Sequence, residues 1–130
     1  MVIDTSVLLA ILGNEPERRS FNEAIEAAAS RALSTANYVE TSIVVEARYG
    51  AEGVRDLQLL IERADIELVA VDAAQARTAC RAFSRYGKGR HRAGLNLGDC
   101  FAYALAAARG ETLLYKGDDF AHTDIASPGP

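Results

Sequence analysis

The chain reads as an α/β domain, a three-layer α/β/α sandwich around a mainly parallel central sheet, and two patterns predict it. Met1–Ile3, Ala32–Ser34, Glu67–Val71 and Thr112–Tyr115 are short, largely apolar runs of strand length, as expected of strands covered on both faces. Between them lie segments with apolar residues at three- and four-residue steps, the crossover helices that parallel strands require. A length of 130 residues, 49% of them hydrophobic and 25% charged, suits one domain with a real core and argues against disorder over most of it. No repeat, linker or low-complexity tract divides residues 1–130.

Met1–Ile3 opens the sheet, and Ser6–Leu12 makes a helical turn or two before Gly13-Asn14 stops it. Pro16 suits the first turn of a second helix, whose Phe21, Ala24, Ile25 and Ala28 share a face. Ala32–Ser34 is the second strand. Ser34 or Thr35 caps a helix that runs to about Tyr49, before Gly50, and Arg55–Arg63 is a further amphipathic helix. Glu67–Val71 is the third strand, Ala73–Tyr86 a helix, Leu97–Arg109 an alanine-rich helix, and Thr112–Tyr115 the fourth strand. Ile125-Ala126 is expected to add a short edge strand before a flexible tail over 127–130. No apolar run approaches the ~20 residues of a membrane span, and Asp4 stands where a secretory signal carries basic and then apolar residues, so a cytoplasmic protein is expected. Cys80 and Cys100 are too few and too isolated for a disulfide framework or a metal knuckle and are read as reduced, buried thiols.

Carboxylates stand where the chain changes direction: Asp4 after the first strand, Glu40 early in a helix, Asp99 at a helix start, and Asp118-Asp119 after the fourth strand. Acids gathered at the carboxyl ends of parallel strands bind hard divalent cations that keep open positions for water and phosphate. The lack of neighbouring His or Cys disfavours zinc. Each acid also has a plain structural use. Asp4 is as good a helix cap as a ligand, Asn96-Leu97-Gly98-Asp99 resembles a capping pattern, and Gly117-Asp118-Asp119 is good turn chemistry. Glu40 is sharper, because three- and four-residue steps set it with Ile43, Val44 and Ala47 on a stripe expected to face the core, where a bare charge needs a cation.

A formal net charge of −4 runs against a nucleic-acid binder, but the local distribution does not. Arg85-Tyr86-Gly87-Lys88-Gly89-Arg90-His91-Arg92 concentrates cations just before the helix of Asp99. Lys88, Arg90 and Arg92 are placed to hold RNA phosphates, with His91 as a further phosphate contact and Tyr86 free to stack on a base. The competing reading is a solvated connection. His122 is assigned to the surface.

Val-Ile-Asp-Thr-Ser-Val-Leu-Leu-Ala at the start, Glu40, Leu-Asn-Leu-Gly-Asp-Cys-Phe-Ala-Tyr-Ala-Leu-Ala around Asp99 and Leu-Leu-Tyr-Lys-Gly-Asp-Asp-Phe near the end together resemble a PIN-domain ribonuclease, most closely the VapC-type toxins of toxin–antitoxin pairs. The resemblance spans nearly the whole chain in order. It implies that Asp4, Glu40 and Asp99 match the first three acids of a site for Mg2+ or Mn2+, with Thr5 and Ser6 as supporting hydroxyls. Gly117 stands where many relatives carry an acid, so the fourth ligand is Asp118 or Asp119, with Asp119 favoured because it keeps the family's Asp-Phe pair. It further implies hydrolysis of RNA by metal-activated water, a VapB-like antitoxin, a homodimer within a heteromeric complex, no membrane partner, and DNA met only through the antitoxin.

One rival uses the same architecture differently, as a phosphoryl-accepting receiver domain with Lys116 as the strand-end lysine that contacts phosphate and Asp72 as the weakly supported acceptor. A second rival is a nuclease-like domain that only binds RNA or protein, which the full set of acids disfavours.

Overall fold

A computed structural model describes residues 1–128. Four parallel strands, β1 (Val2–Ile3), β2 (Ala32–Ser34), β3 (Glu67–Val69) and β4 (Leu113–Leu114), form one sheet in the order β3-β2-β1-β4. Alternate residues along a strand point to opposite faces, and both faces are dry. Val2, Ala32 and Leu113 pack with α4 (Ala73–Tyr86) and α5 (Leu97–Arg109), while Ile3, Leu33 and Leu114 pack with α1 (Thr5–Leu12), α2 (Arg18–Ala27) and α3 (Thr35–Arg63). This two-sided burial is why the strands read as unbroken apolar runs.

The expected elements are present with local differences. The two helices expected on either side of Gly50 are both present within the span α3 and meet at Gly50, where φ of 69° and ψ of −155°, open essentially only to glycine, break the helical path. β3 ends at Val69 rather than Val71. Gln75 Nε2 donates to Ala70 O at 3.3 Å, and Asp72 caps α4 by accepting from Gln75 N at 2.8 Å. Ile125-Ala126 forms no strand, although Leu113 N donates to Ala126 O at 2.9 Å. The expected tail over 127–130 lies partly outside the described residues.

The stripe reading of α3 needs correction. Its core face is Asn37, Thr41 and Val45, all fully buried, whereas Ile43 is 62% exposed and Glu40 lies at the margin, half-buried. Two polar residues occupy core positions because the Asn37 amide nitrogen and the Thr41 hydroxyl find partners inside the protein, so apolar spacing pointed to the wrong face. Cys100 is buried as expected, whereas Cys80 is exposed. Among the described residues no helix is long and apolar enough to cross a membrane.

Candidate active site

All four strands run the same way, so the turns after β1, β2 and β4 open at one end of the sheet. Asp4 is the residue after β1 and N-caps α1. Its Oδ2 accepts from Ser6 N at 3.0 Å and from Ser6 Oγ at 2.6 Å. Ser6 Oγ in turn accepts from Lys116 N at 2.9 Å, which ties the end of β4 to the first acid. The other oxygen of Asp4, Oδ1, is buried without a partner. Burial drives the Asp4 carboxyl above the usual carboxylate range, and the charge of Glu40 adds to the effect while the Ser6 bonds oppose it.

Asp99 fills the capping role expected of it. In the capping box of α5, Asn96 Oδ1 accepts from Asp99 N at 2.9 Å and Asp99 Oδ2 accepts from Asn96 N at 3.0 Å. That leaves Asp99 Oδ1 for other work. Its carboxyl is pushed up to about 7, chiefly by burial, against the Asn96 bond and with help from the charges of Asp4, Asp119 and Glu40. Residues from four separate stretches of chain therefore act on one another. Asp119 is among the leading influences on Asp99; Asp118, also exposed, is not.

Glu40 is held between α3 and α5. Asn37 Nδ2 shares its two protons among three acceptors, Gly98 O at 3.0 Å, Thr5 Oγ1 at 3.3 Å and Glu40 Oε1 at 3.4 Å. Gly98 is needed for space, since a Cβ there would overlap the Glu40 carboxylate. Thr5 does not orient Asp4 with its hydroxyl. Thr41 Oγ1 donates to Thr5 Oγ1 at 3.2 Å, and Thr5 Oγ1 lies 3.4 Å from Asn37 O, so Thr5 belongs to a buried polar cluster behind the acids. Sequence reading missed Asn37, Thr41 and Gly98. The available signal was polar residues four apart on one helix face, Asn37 and Thr41, leading to the apolar Val45.

The donor set suits Mg2+ or Mn2+: oxygen only, anionic, with an unpartnered Asp4 Oδ1 buried inside the cluster. Among the described residues no three acidic, His or Cys side chains stand close enough to hold one ion as they are. Of the four, Asp119 is the exposed one.

The basic loop lies between α4 and α5, pinned by Lys88 N to Leu95 O at 2.9 Å and Leu95 N to Tyr86 O at 3.0 Å. Lys88, Arg90 and Arg92 are exposed on it. Tyr86 is not free to stack. It is only 4% exposed, with its ring centroid 5.2 Å from His91 and 5.8 Å from Tyr103, because its aromatic bulk completes the core against α5. His91 Nδ1 is occupied in accepting from Ala93 N at 3.0 Å.

The receiver reading finds no support. A receiver's first strand lies between its second and third, whereas β1 lies between β2 and β4. The Lys116 ammonium is bound by Glu15 at 2.7 Å and Glu17 at 3.1 Å, and Asp72 is a helix cap.

The PIN domain family matches residues 1–126. Ribonuclease VapC30 of Mycobacterium tuberculosis is 57% identical over 127 residues, which cover 98% of this chain and 97% of that protein. Among solved structures, M. tuberculosis VapC20, described as a sarcin–ricin loop cleaving toxin, superposes with a TM-score of 0.80 at 14% identity, covering 99% of this chain and 98% of that one. VapBC2 from Rickettsia felis, solved on a DNA fragment from its promoter, gives 0.77 at 13% identity, covering 97% and 94%. At those identities the structures speak for the fold, and the 57% relative for the family. With a parallel sheet that gathers Asp4, Glu40, Asp99 and Asp119 at one end, the chain belongs to the PIN-domain family, among the VapC ribonucleases.

Proposed function

We infer that this protein is the ribonuclease toxin of a toxin–antitoxin pair and that Asp4, Glu40, Asp99 and Asp119 form its site for Mg2+ or Mn2+. The observation that carries the reading is the mutual influence of these carboxylates around Asp99, with Asp4 Oδ1 buried and unpartnered. A neutral carboxyl cluster has little use for that orphan oxygen; an anionic one that receives a cation does. When bound, the cation supplies a Lewis acid that makes water nucleophilic near neutral pH and offsets charge on the leaving oxygen. Ser6 orients Asp4, Asn96 leaves one Asp99 oxygen free, and Lys88, Arg90 and Arg92 give the RNA backbone cationic contacts beside the acids.

The expected partners follow from the same surface. The relatives' own antitoxins suggest a VapB-like protein whose basic tail places a guanidinium among the acids, where it engages two carboxylate oxygens at once. DNA is met only through that antitoxin, and the setting is the cytoplasm. A homodimer is supported by an apolar patch beside the site: Val39 and Ile43 of α3, 53% and 62% exposed, and Leu97 of α5, 75% exposed, flank the place where Glu40 meets Gly98.

The test is to sequence the ends of RNA cut by the purified protein with Mg2+ or Mn2+. Fragments should carry 5′-phosphate and 3′-hydroxyl ends, EDTA should stop cleavage, and Asp99→Asn should lower it at least about 100-fold. Cyclic 2′,3′-phosphate ends, or cleavage at full rate by Asp99→Asn, would remove the carboxylate site from the reaction.

A further inference from the structure

We propose that Asn37 is the positioning residue of the site: its buried amide clamps the Glu40 carboxylate against α5 and so sets where Glu40 stands relative to Asp99. The inference rests on the metal-site reading above and deepens it.

Asn37 is fully buried, one turn before Glu40 on α3. Its amide can face its surroundings in only one way. Gly98 O, a backbone carbonyl, is an acceptor without a proton to give, so the nitrogen must face that side, where Glu40 Oε1 also lies. It does, at 3.0 Å and 3.4 Å. The price is Oδ1, left buried with no partner. A residue chosen only to fill this space would be apolar and would leave no such orphan, since replacing buried polar groups by apolar ones of like shape is nearly neutral or stabilising. What the amide does that no apolar side chain does is join Glu40 to the backbone residue next to Asp99.

Gly98 supplies independent geometry for the same clamp. A Cβ at Gly98 would run into both oxygens of the Glu40 carboxylate. The carboxylate thus occupies the room that the absent side chain leaves, and Asn37 holds it there from behind. The bond from Asn37 Nδ2 to Thr5 Oγ1 at 3.3 Å extends the clamp to the residue after Asp4, so one amide touches the immediate neighbours of two acids and a third acid itself.

Three variants separate positioning from folding, read by Mn2+ binding without RNA, from the electron paramagnetic resonance signal of the free ion, beside thermal melting. Asn37→Leu keeps the bulk and removes the donor. Gly98→Ala keeps Asn37 and displaces Glu40, whose flexible end can yield without disturbing the backbone. Gln75→Leu is the control: it too is a buried amide with an orphaned oxygen, but its nitrogen bonds Ala70 O in the connection between β3 and α4 and touches none of the four acids. Asn37→Leu and Gly98→Ala should each weaken Mn2+ binding about 10- to 100-fold, the usual loss when a ligand's supporting partner is removed, while Gln75→Leu stays within about twofold at whatever melting temperature it has. In a Glu40→Gln background Asn37→Leu should add nothing further, because a side chain that has lost its charge gives the ion little wherever the amide holds it. Wild-type-like Mn2+ binding by Asn37→Leu, or a loss that simply adds to that of Glu40→Gln, overturns the proposal. A wild-type protein that takes up no Mn2+ removes the metal reading and this inference together, and so is told apart from failure of the inference alone.

Discussion

Asp99 carries a structural and a chemical duty on different oxygens, and its proton couples the two. Burial and neighbouring acids push its carboxyl from 3.8 up to about 7, so between those values the folded protein holds a proton that the unfolded chain has released. Stability rises with pH only where the unfolded state binds more protons; here the folded state binds more, and stability must fall as pH rises from about 4 to about 7. Melting followed in EDTA should therefore show a higher midpoint near pH 5 than near pH 8. Asp99→Asn keeps the cap's acceptor, removes the charge, should melt a few degrees higher at the upper pH, and should flatten the slope. Mn2+ should reverse the wild-type trend, since it competes with protons for the same oxygens. An Asp99→Asn protein with an undiminished slope would place the coupling elsewhere. At this scale Asp4, Glu40 and Asp99 were legible as acids at element ends, but Asn37 and Gly98 were not. Their importance lies in contacts between segments about 60 residues apart, 61 for the Asn37–Gly98 bond, and no local pattern encodes those.

The helices and strands were legible wherever burial is one-sided and apolar, as with Phe21 and Ile25 on α2 or the all-buried run Ala102–Leu105 on α5. They were misread where polar groups enter the core, as on α3, and where an aromatic next to a basic run is core rather than surface, as with Tyr86. The break expected before Gly50 is there, as the one non-helical residue within the span α3. The α4–α5 connection keeps its cations outward although Tyr86 turns inward: Arg90 lies over the Phe83 ring at 5.7 Å and Arg85 over Tyr86 at 4.8 Å. Replacing Lys88, Arg90 and Arg92 together by alanine should weaken RNA binding and lower the slope of log affinity against log salt by about 2, at roughly 0.7 for each single-strand phosphate no longer neutralised. Mn2+ binding should not change. An unaltered salt slope would return this loop to a simple connection.

As a whole the molecule exposes apolar side chains beside an acidic end, which an isolated protein of this size seldom does without use. If the proposed dimer forms through this patch, the wild type should sediment as a dimer at equilibrium and the Ile43→Glu/Leu97→Glu variant as a monomer; a monomeric wild type, or a double variant that sediments as the wild type does, would remove the proposed contact from this face. The strand order has a further consequence, for the time of synthesis. β1 pairs with β4, Val2 against Leu113 and Ile3 against Leu114, and Asp119 follows five residues after Leu114. A nascent chain emerging from the ribosome holds Asp4, Glu40 and then Asp99 well before the last strand exists to flank the first. Long-range parallel pairing of this kind is slow and comes late. With Asp119 in the site proposed above, the ribonuclease stays incomplete beside the messenger and ribosome that are making it until translation has passed that residue.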